Sequence, residues 1–268
     1  MHEITFNGDV LHYHHAFLPP YFHLWNILLT FCAGLVGESI GALVGGGSIF
    51  MMSALLFMGL PLQAAVATDN ASSLGTEVGI LSETYRKVAT QKKLLALMAV
   101  TYTAGGIIGT YLLLTSSATF IKDIMVIGVL FILGLTYFSK NKPDPQAIRK
   151  SSYVLLVIFL FIMGLYTNFI GIGQGTFARI TVMSILGLSF MQSQGLIATA
   201  MMPTRIYSLI VTGFAGLIVW PYLLTLWCSN YIAGKYATKF VKHIPDAQLK
   251  AILTVLSVGF IVYLLFFY

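Results

Sequence analysis

Two arginines and three acids stand in stretches of this chain that are otherwise apolar. Arg179 lies in "GTFARITVMSIL" and Arg205 in "MMPTRIYSLIV", while Glu38, Asp69 and Glu77 lie in "LVGESIGAL", "VATDN" and "LGTEVGI". Arg179 follows a glycine cluster, "GIGQG" at 171–175, and a second cluster, "GALVGGGSIF" at 41–50, follows Glu38. Each glycine costs a helix interior ~1 kcal/mol relative to alanine, so a run of three breaks the helix. The half-helix that restarts after a break begins with unpaired amide N–H groups and carries the positive end of its dipole. Together these make a ready anion site. A nearby guanidinium adds a bidentate grip on an oxyanion. Desolvation disfavours the charged form of a carboxyl, so Glu38, Asp69 and Glu77, with Asn70 beside them, are candidates for carrying a coupled proton. Two plainer readings compete. Gly37, Gly41 and Gly45 have the spacing of small residues that let helices pack closely, and the arginines and acids can form structural pairs.

The setting of these residues is a membrane. Of the 268 residues, 57% are hydrophobic and 9% charged, against about 25% charged in soluble domains. Apolar runs of about 20 residues indicate helices rather than the shorter, alternating strands of a barrel. The net charge of +6 does not imply nucleic acid, because the basic residues are grouped in loops. Cys32 and Cys228 each lie in an apolar run and are expected to be buried small residues rather than a disulfide. No cationic leader stands at the N-terminus, since Arg86 is the first Lys or Arg. "HYHH" at 12–15 is expected to be interfacial, with metal binding as the alternative.

Ten apolar segments are expected at 22–44, 48–60, 62–85, 94–115, 122–139, 152–170, 176–187, 190–212, 217–238 and 249–267. The second and seventh are too short to cross a core of about 30 Å, and each follows a glycine-rich break. Arg86, Lys87, Lys92 and Lys93 form one basic loop. Lys140, Lys142, Arg149 and Lys150 form another, and Lys235, Lys239, Lys242 and Lys250 a third. By the positive-inside rule all three are cytoplasmic, which puts both termini outside and makes the pairs 22–44/48–60 and 152–170/176–187 each start and end on one side, as hairpins or as a helix followed by a re-entrant half-helix. The flanking Trp25 and Trp220 are expected at the lipid surface or its interface.

The halves resemble each other. "VGGGSIFMMSALLFMGLP" at 44–61 aligns with "IGQGTFARITVMSILGLS" at 172–189, and the same offset sets Arg205 against Glu77. The fold class expected is an all-α polytopic membrane protein of two inverted five-segment repeats with paired broken helices, the arrangement of secondary transporters. Its parts are an outer segment at 1–21, a first repeat at 22–139, a cytoplasmic linker at 140–151 and a second repeat at 152–268.

"GALVGGGSIFMMSALLFMGLPLQAAVAT" and its second copy "GIGQGTFARITVMSILGLSFMQSQGLIAT" resemble the paired signature of the TauE/SafE family, the sulfite-exporter-like permeases also grouped as toluene-sulfonate uptake permeases. The second copy departs in Gln174, in Ser189 where proline is common, and in a longer spacing before Ala198 and Thr199. The resemblance implies a transporter, expected to export, of sulfite, sulfonates or related anions, coupled to an ion gradient. The alternatives are an uncoupled anion channel and a permease for another small carboxylate or oxyanion. With no HExxH and no Gly-x-Ser-x-Gly, an enzyme is not expected. Gly46, Gly47, Ser48, Gln174, Gly175, Thr176, Arg179 and Arg205 are the expected substrate-binding residues. No cofactor, metal or nucleic-acid partner is expected; a small anion and lipid are, with a homodimer possible.

Overall fold

The computed structural model describes residues 5–6, 9–10, 24–41, 46–88, 91–138, 150–188, 190–240 and 246–267, with some side chains inside these segments left out. A two-residue antiparallel pair, β1 (Thr5–Phe6) and β2 (Asp9–Val10), precedes the helices. Ten helices follow. The first half holds α1 (Leu24–Gly41), α2 (Gly47–Phe57), α3 (Leu62–Val88), α4 (Lys92–Thr115) and α5 (Ala118–Phe138). The second holds α6 (Lys150–Phe169), α7 (Gln174–Leu186), α8 (Phe190–Phe214), α9 (Trp220–Phe240) and α10 (Asp246–Phe267). All ten expected segments are present in order, each as one helix. Among the described residues three stretches are long and apolar enough to cross a membrane by length and composition: α1, α4 and residues 192–214 of α8. The "HYHH" stretch and Gly45 lie outside the described residues.

The arrangement is that of a molecule turned toward lipid. α3 carries Thr68, Asp69, Asn70, Ser72, Ser73 and Glu77, all buried. With no water in a bilayer core to serve such groups, a helix of this kind must sit inside the bundle. It does: α3 packs against α8 and α9, and α8 in turn packs against α4. α1 lies against α9 and α2, and α6 against α4 and α7. α5 and α10 touch each other and show large apolar side chains on the outside, among them Ile127, Leu130, Phe131, Val255, Val262 and Phe266. Trp25 and Trp220 are exposed as expected. The cysteines correct the expectation, because both Cys32 and Cys228 lie on the exposed surface. An apolar residue gains nothing by being buried where the surroundings are hydrocarbon, so an apolar run does not tell inside from outside.

Backbone contact holds the central helices together. A side chain added at Gly105 or Gly109 of α4 meets the backbone of Phe161 or Leu165 on α6, and one added at Gly75 of α3 meets the backbone of Trp227 on α9. Small residues at such crossings let helices approach without a hydrophobic driving force. Gly259 on α10 has nothing within 4 Å. Gly105→Ala is therefore expected to lower the thermal midpoint in detergent by an amount matching ~1–3 kcal/mol of overpacking. Gly259→Ala should leave the midpoint unchanged or raise it slightly. Equal midpoints for the two variants would contradict this packing.

Candidate functional site

Both half-helices start at a glycine that a side chain would not tolerate. The residue capping α2 is Gly46, with φ 77°, and the residue capping α7 is Gly173, with φ 70°. Both are left-handed, a region glycine enters without the steric penalty of a Cβ. The helices thus begin at Gly47 and Gln174, one and two residues before the segment starts expected at 48 and 176. Gly47 also needs to lack a side chain, because a Cβ there would come within 2.6 Å of the Gly37 carbonyl oxygen of α1. At the second break, the Tyr166 hydroxyl donates to the Ile172 carbonyl at 2.7 Å and so satisfies part of the unwound backbone.

The two starts face one cavity of about 90 Å³. A single water needs only ~10–15 Å³ of such space, so there is room for a small ligand. Gly46, Gly47 and Ser48 line it from α2, and Gly173, Gln174 and Gly175 from α7. α3 contributes Ser73, Thr76, Glu77 and Ile80, and α8 contributes Gln194, Ala198, Met201 and Arg205. Glu38 reaches it from α1, where it is half-buried. The lining residues of α3 and α8 fall at steps of three and four, each set on one helical face.

Arg205 is 1% exposed. Its Nε donates to Glu77 Oε1 at 3.2 Å, and its Nη1 donates to Asn70 Oδ1 at 2.8 Å. Asn70 Nδ2 donates in turn to the Asn168 carbonyl at 3.4 Å, close to the second break. Asn168 Nδ2 donates to Thr204 Oγ1 at 3.1 Å. One hydrogen-bonded chain therefore joins the end of α6 to α3 and α8. Asp69, 1% exposed, has no hydrogen-bond partner for either carboxylate oxygen among the described residues. Glu77 Oε2 and Gln174 Oε1 are likewise buried without a partner among them. Such groups require water, a proton or a ligand.

Of the residues expected at the site, Gly46, Gly47, Ser48, Gln174, Gly175 and Arg205 come together at the cavity, with Glu38 and Glu77. Asn70 joins them through Arg205, while Asp69 is buried but does not line the cavity. Thr176 and Arg179 lie within α7, but their side chains fall outside the described residues. Ser73, Thr76 and Gln194 were missed. The signal that could have found them is their spacing from Asn70, Glu77 and Arg205 along one helix face. Among the described residues no three His, Cys, Asp or Glu gather as metal ligands.

Comparison with known proteins bears on what such a cavity serves. The family model for the sulfite exporter TauE/SafE matches residues 29–264. The chain belongs to the TauE/SafE family. It is 20% identical to a probable membrane transporter protein of Haemophilus influenzae over 86% of this chain and 91% of that protein. It is 22% identical to a probable membrane transporter protein, ORF9, of a Sinorhizobium species over 91% of this chain and 93% of that protein. No solved structure matches the chain significantly. With the apolar helices, membership of the TauE/SafE family makes this a multi-pass membrane transporter.

The ion pair invites a direct energetic test. Removing one partner of a buried pair leaves the other charge uncompensated, at ~3–5 kcal/mol. Glu77→Leu and Arg205→Leu are each expected to lose about that much in equilibrium unfolding from mixed micelles, and the double variant to lose less than either alone. Additive losses would show that the two charges do not depend on each other.

Proposed function

We propose that this chain is a secondary transporter of small sulfur-containing anions such as sulfite or organosulfonates, and that the anion binds in the cavity between the starts of α2 and α7. The observation that carries the reading is the convergence of two half-helix N-termini and a buried guanidinium on one cavity. Two helix ends each worth about half a positive charge, reinforced by Arg205, favour a small oxyanion, and their amides supply directed donors. The description of the matched family model names sulfite export, which sets the chemical class. Export is the direction that accompanies it, and the plasma membrane the expected location.

The proposal includes the inverted repeat. Helices pair in matching sets: α3 on α9 as α8 on α4, and α1 on α9 as α6 on α4. Glu77 and Arg205 stand 128 residues apart and are bonded to each other. A shift of 128 residues also maps one contact onto another: Gly234 abuts Thr76 as Gly106 abuts Thr204. Contact between residues at equivalent positions supports an axis relating the halves that passes near the ion pair and the cavity. If α1 with α2, and α6 with α7, each start and end on one side, three crossings remain in each half, and that odd count supports opposite orientation of the halves and an outer face for both termini.

A thermal-shift series with sulfite, thiosulfate, sulfoacetate, taurine and sulfate tests the reading. A ligand at 100 times its Kd stabilises the native state by ~2.7 kcal/mol. At least one sulfur oxyanion should raise the melting temperature in a concentration-dependent way, the neutral dimethyl sulfone should not, and Arg205→Ala should abolish the shift. The absence of a shift with every anion would overturn the proposal. In proteoliposomes, flux that never exceeds the anion's own gradient would reassign the protein as a channel.

A further inference from the structure

Arg205 holds its place through two donors, Nε on Glu77 and Nη1 on Asn70, and both Arg205 and Glu77 line the cavity. A cavity anion and the Glu77 carboxylate are therefore rivals for one guanidinium. The surroundings sharpen the rivalry. Among the described residues, Arg205 of α8 faces Glu77 as a charge, and Glu38 of α1 acts on it electrostatically. Tyr102 of α4, hydrogen-bonded to Thr167 of α6, is also within electrostatic reach. Asp69 lies two turns earlier on α3, and α9 meets this part of α3 through Gly234, set against Thr76. α2 and α7 present their amide ends. With Glu77 ionised, its charge is matched by the Arg205 guanidinium, and Glu38 acts electrostatically on both Glu77 and Asp69. An anion entering alone would put a second negative charge beside a guanidinium that Glu77 already neutralises.

Resting on the anion-site reading and deepening it, we infer that the anion displaces Glu77 from Arg205 and that Glu77 takes up one proton from water as it leaves, so that one anion and one proton bind together. The hydrogen bond from Arg205 Nε to Glu77 Oε1 breaks, and one from Arg205 to the anion forms. A carboxylate stripped of its cation in a buried site does not persist as an ion, and an O–H bond on Glu77 removes the charge. Glu77 Oε2, buried without a partner among the described residues, is an open position for that proton. For a monoanion the site's net charge is unchanged by loading. Asn70 keeps Arg205 in the cavity throughout, through a bond that does not involve Glu77.

The test is calorimetric titration of the full chain in nanodiscs with methanesulfonate, a permanently ionised monoanion, in buffers of differing ionisation enthalpy. The wild-type protein should take up about one proton per anion near pH 7.5, and its Kd should weaken about tenfold for each pH unit above that. Glu77→Gln should bind with no proton uptake and with a pH-independent Kd. An infrared difference spectrum on adding methanesulfonate should show the carbonyl band of a protonated carboxylic acid, lost in Glu77→Gln and shifted in Glu77→Asp, which keeps the acid and the proton uptake. Binding without proton uptake in the wild type, or unaltered uptake in Glu77→Gln, overturns the inference while leaving the anion site standing. If methanesulfonate binds to neither protein, the same titration is run with the sulfur anion that shifts the melting temperature; if none does, the anion-site reading falls and this inference with it.

Discussion

A guanidinium shut away from water needs a counter-charge, and in this chain Arg205 has Glu77. Much of the architecture serves that one pair. α3 and α8 must lie side by side at the centre for the two side chains to meet, and the small-residue crossings with α9 and α4 let the flanking helices close in around them. Asn70 fixes the far side of the guanidinium and ties it to the backbone at the end of α6. The outer helices then need only an apolar surface, which α5 and α10 show.

The half-helices complete the arrangement because an unwound backbone is tolerated at membrane depth only beside a cavity or within protein. Gly46 and Gly173 supply the left-handed turn that aims a helix start inward, and Gly47 permits α1 to lie directly against that start. α1, α2, α3, α7 and α8 each bring at least one polar side chain to the cavity, yet the charges it holds oppose one another. Donor amides and Arg205 favour an anion, while Glu38 and Glu77 disfavour it. On the proposed function, a site balanced in this way would bind or release an anion on a small change in protonation or geometry.

Much of this was legible in the sequence because membrane segments announce themselves by length and hydropathy. All ten helices were found, and the offset between the glycine clusters set Glu77 opposite Arg205, where the two side chains meet. The cavity faces of α3 and α8 were written in the three-and-four spacing of Ser73, Thr76 and Glu77, and of Gln194, Ala198, Met201 and Arg205, although Ser73, Thr76 and Gln194 went unread. The bond between Asn70 and the Asn168 carbonyl joins residues 98 apart to an atom every residue carries, so no side-chain pattern encodes it. Cys32 and Cys228 were misplaced for a physical reason: against hydrocarbon, hydrophobicity no longer separates core from surface.

The central claim is that an oxyanion sits between the starts of α2 and α7 within reach of Arg205. Selenite carries the geometry of sulfite and a strong anomalous scatterer. Anomalous diffraction from crystals grown with selenite locates the ion without assumptions about mechanism. The account predicts a selenium peak within hydrogen-bonding range of the amides at Ser48 and Gln174 and of the Arg205 guanidinium. A selenium peak outside that cavity, with the Glu77–Arg205 pair intact and the space between the half-helices unoccupied, would contradict it.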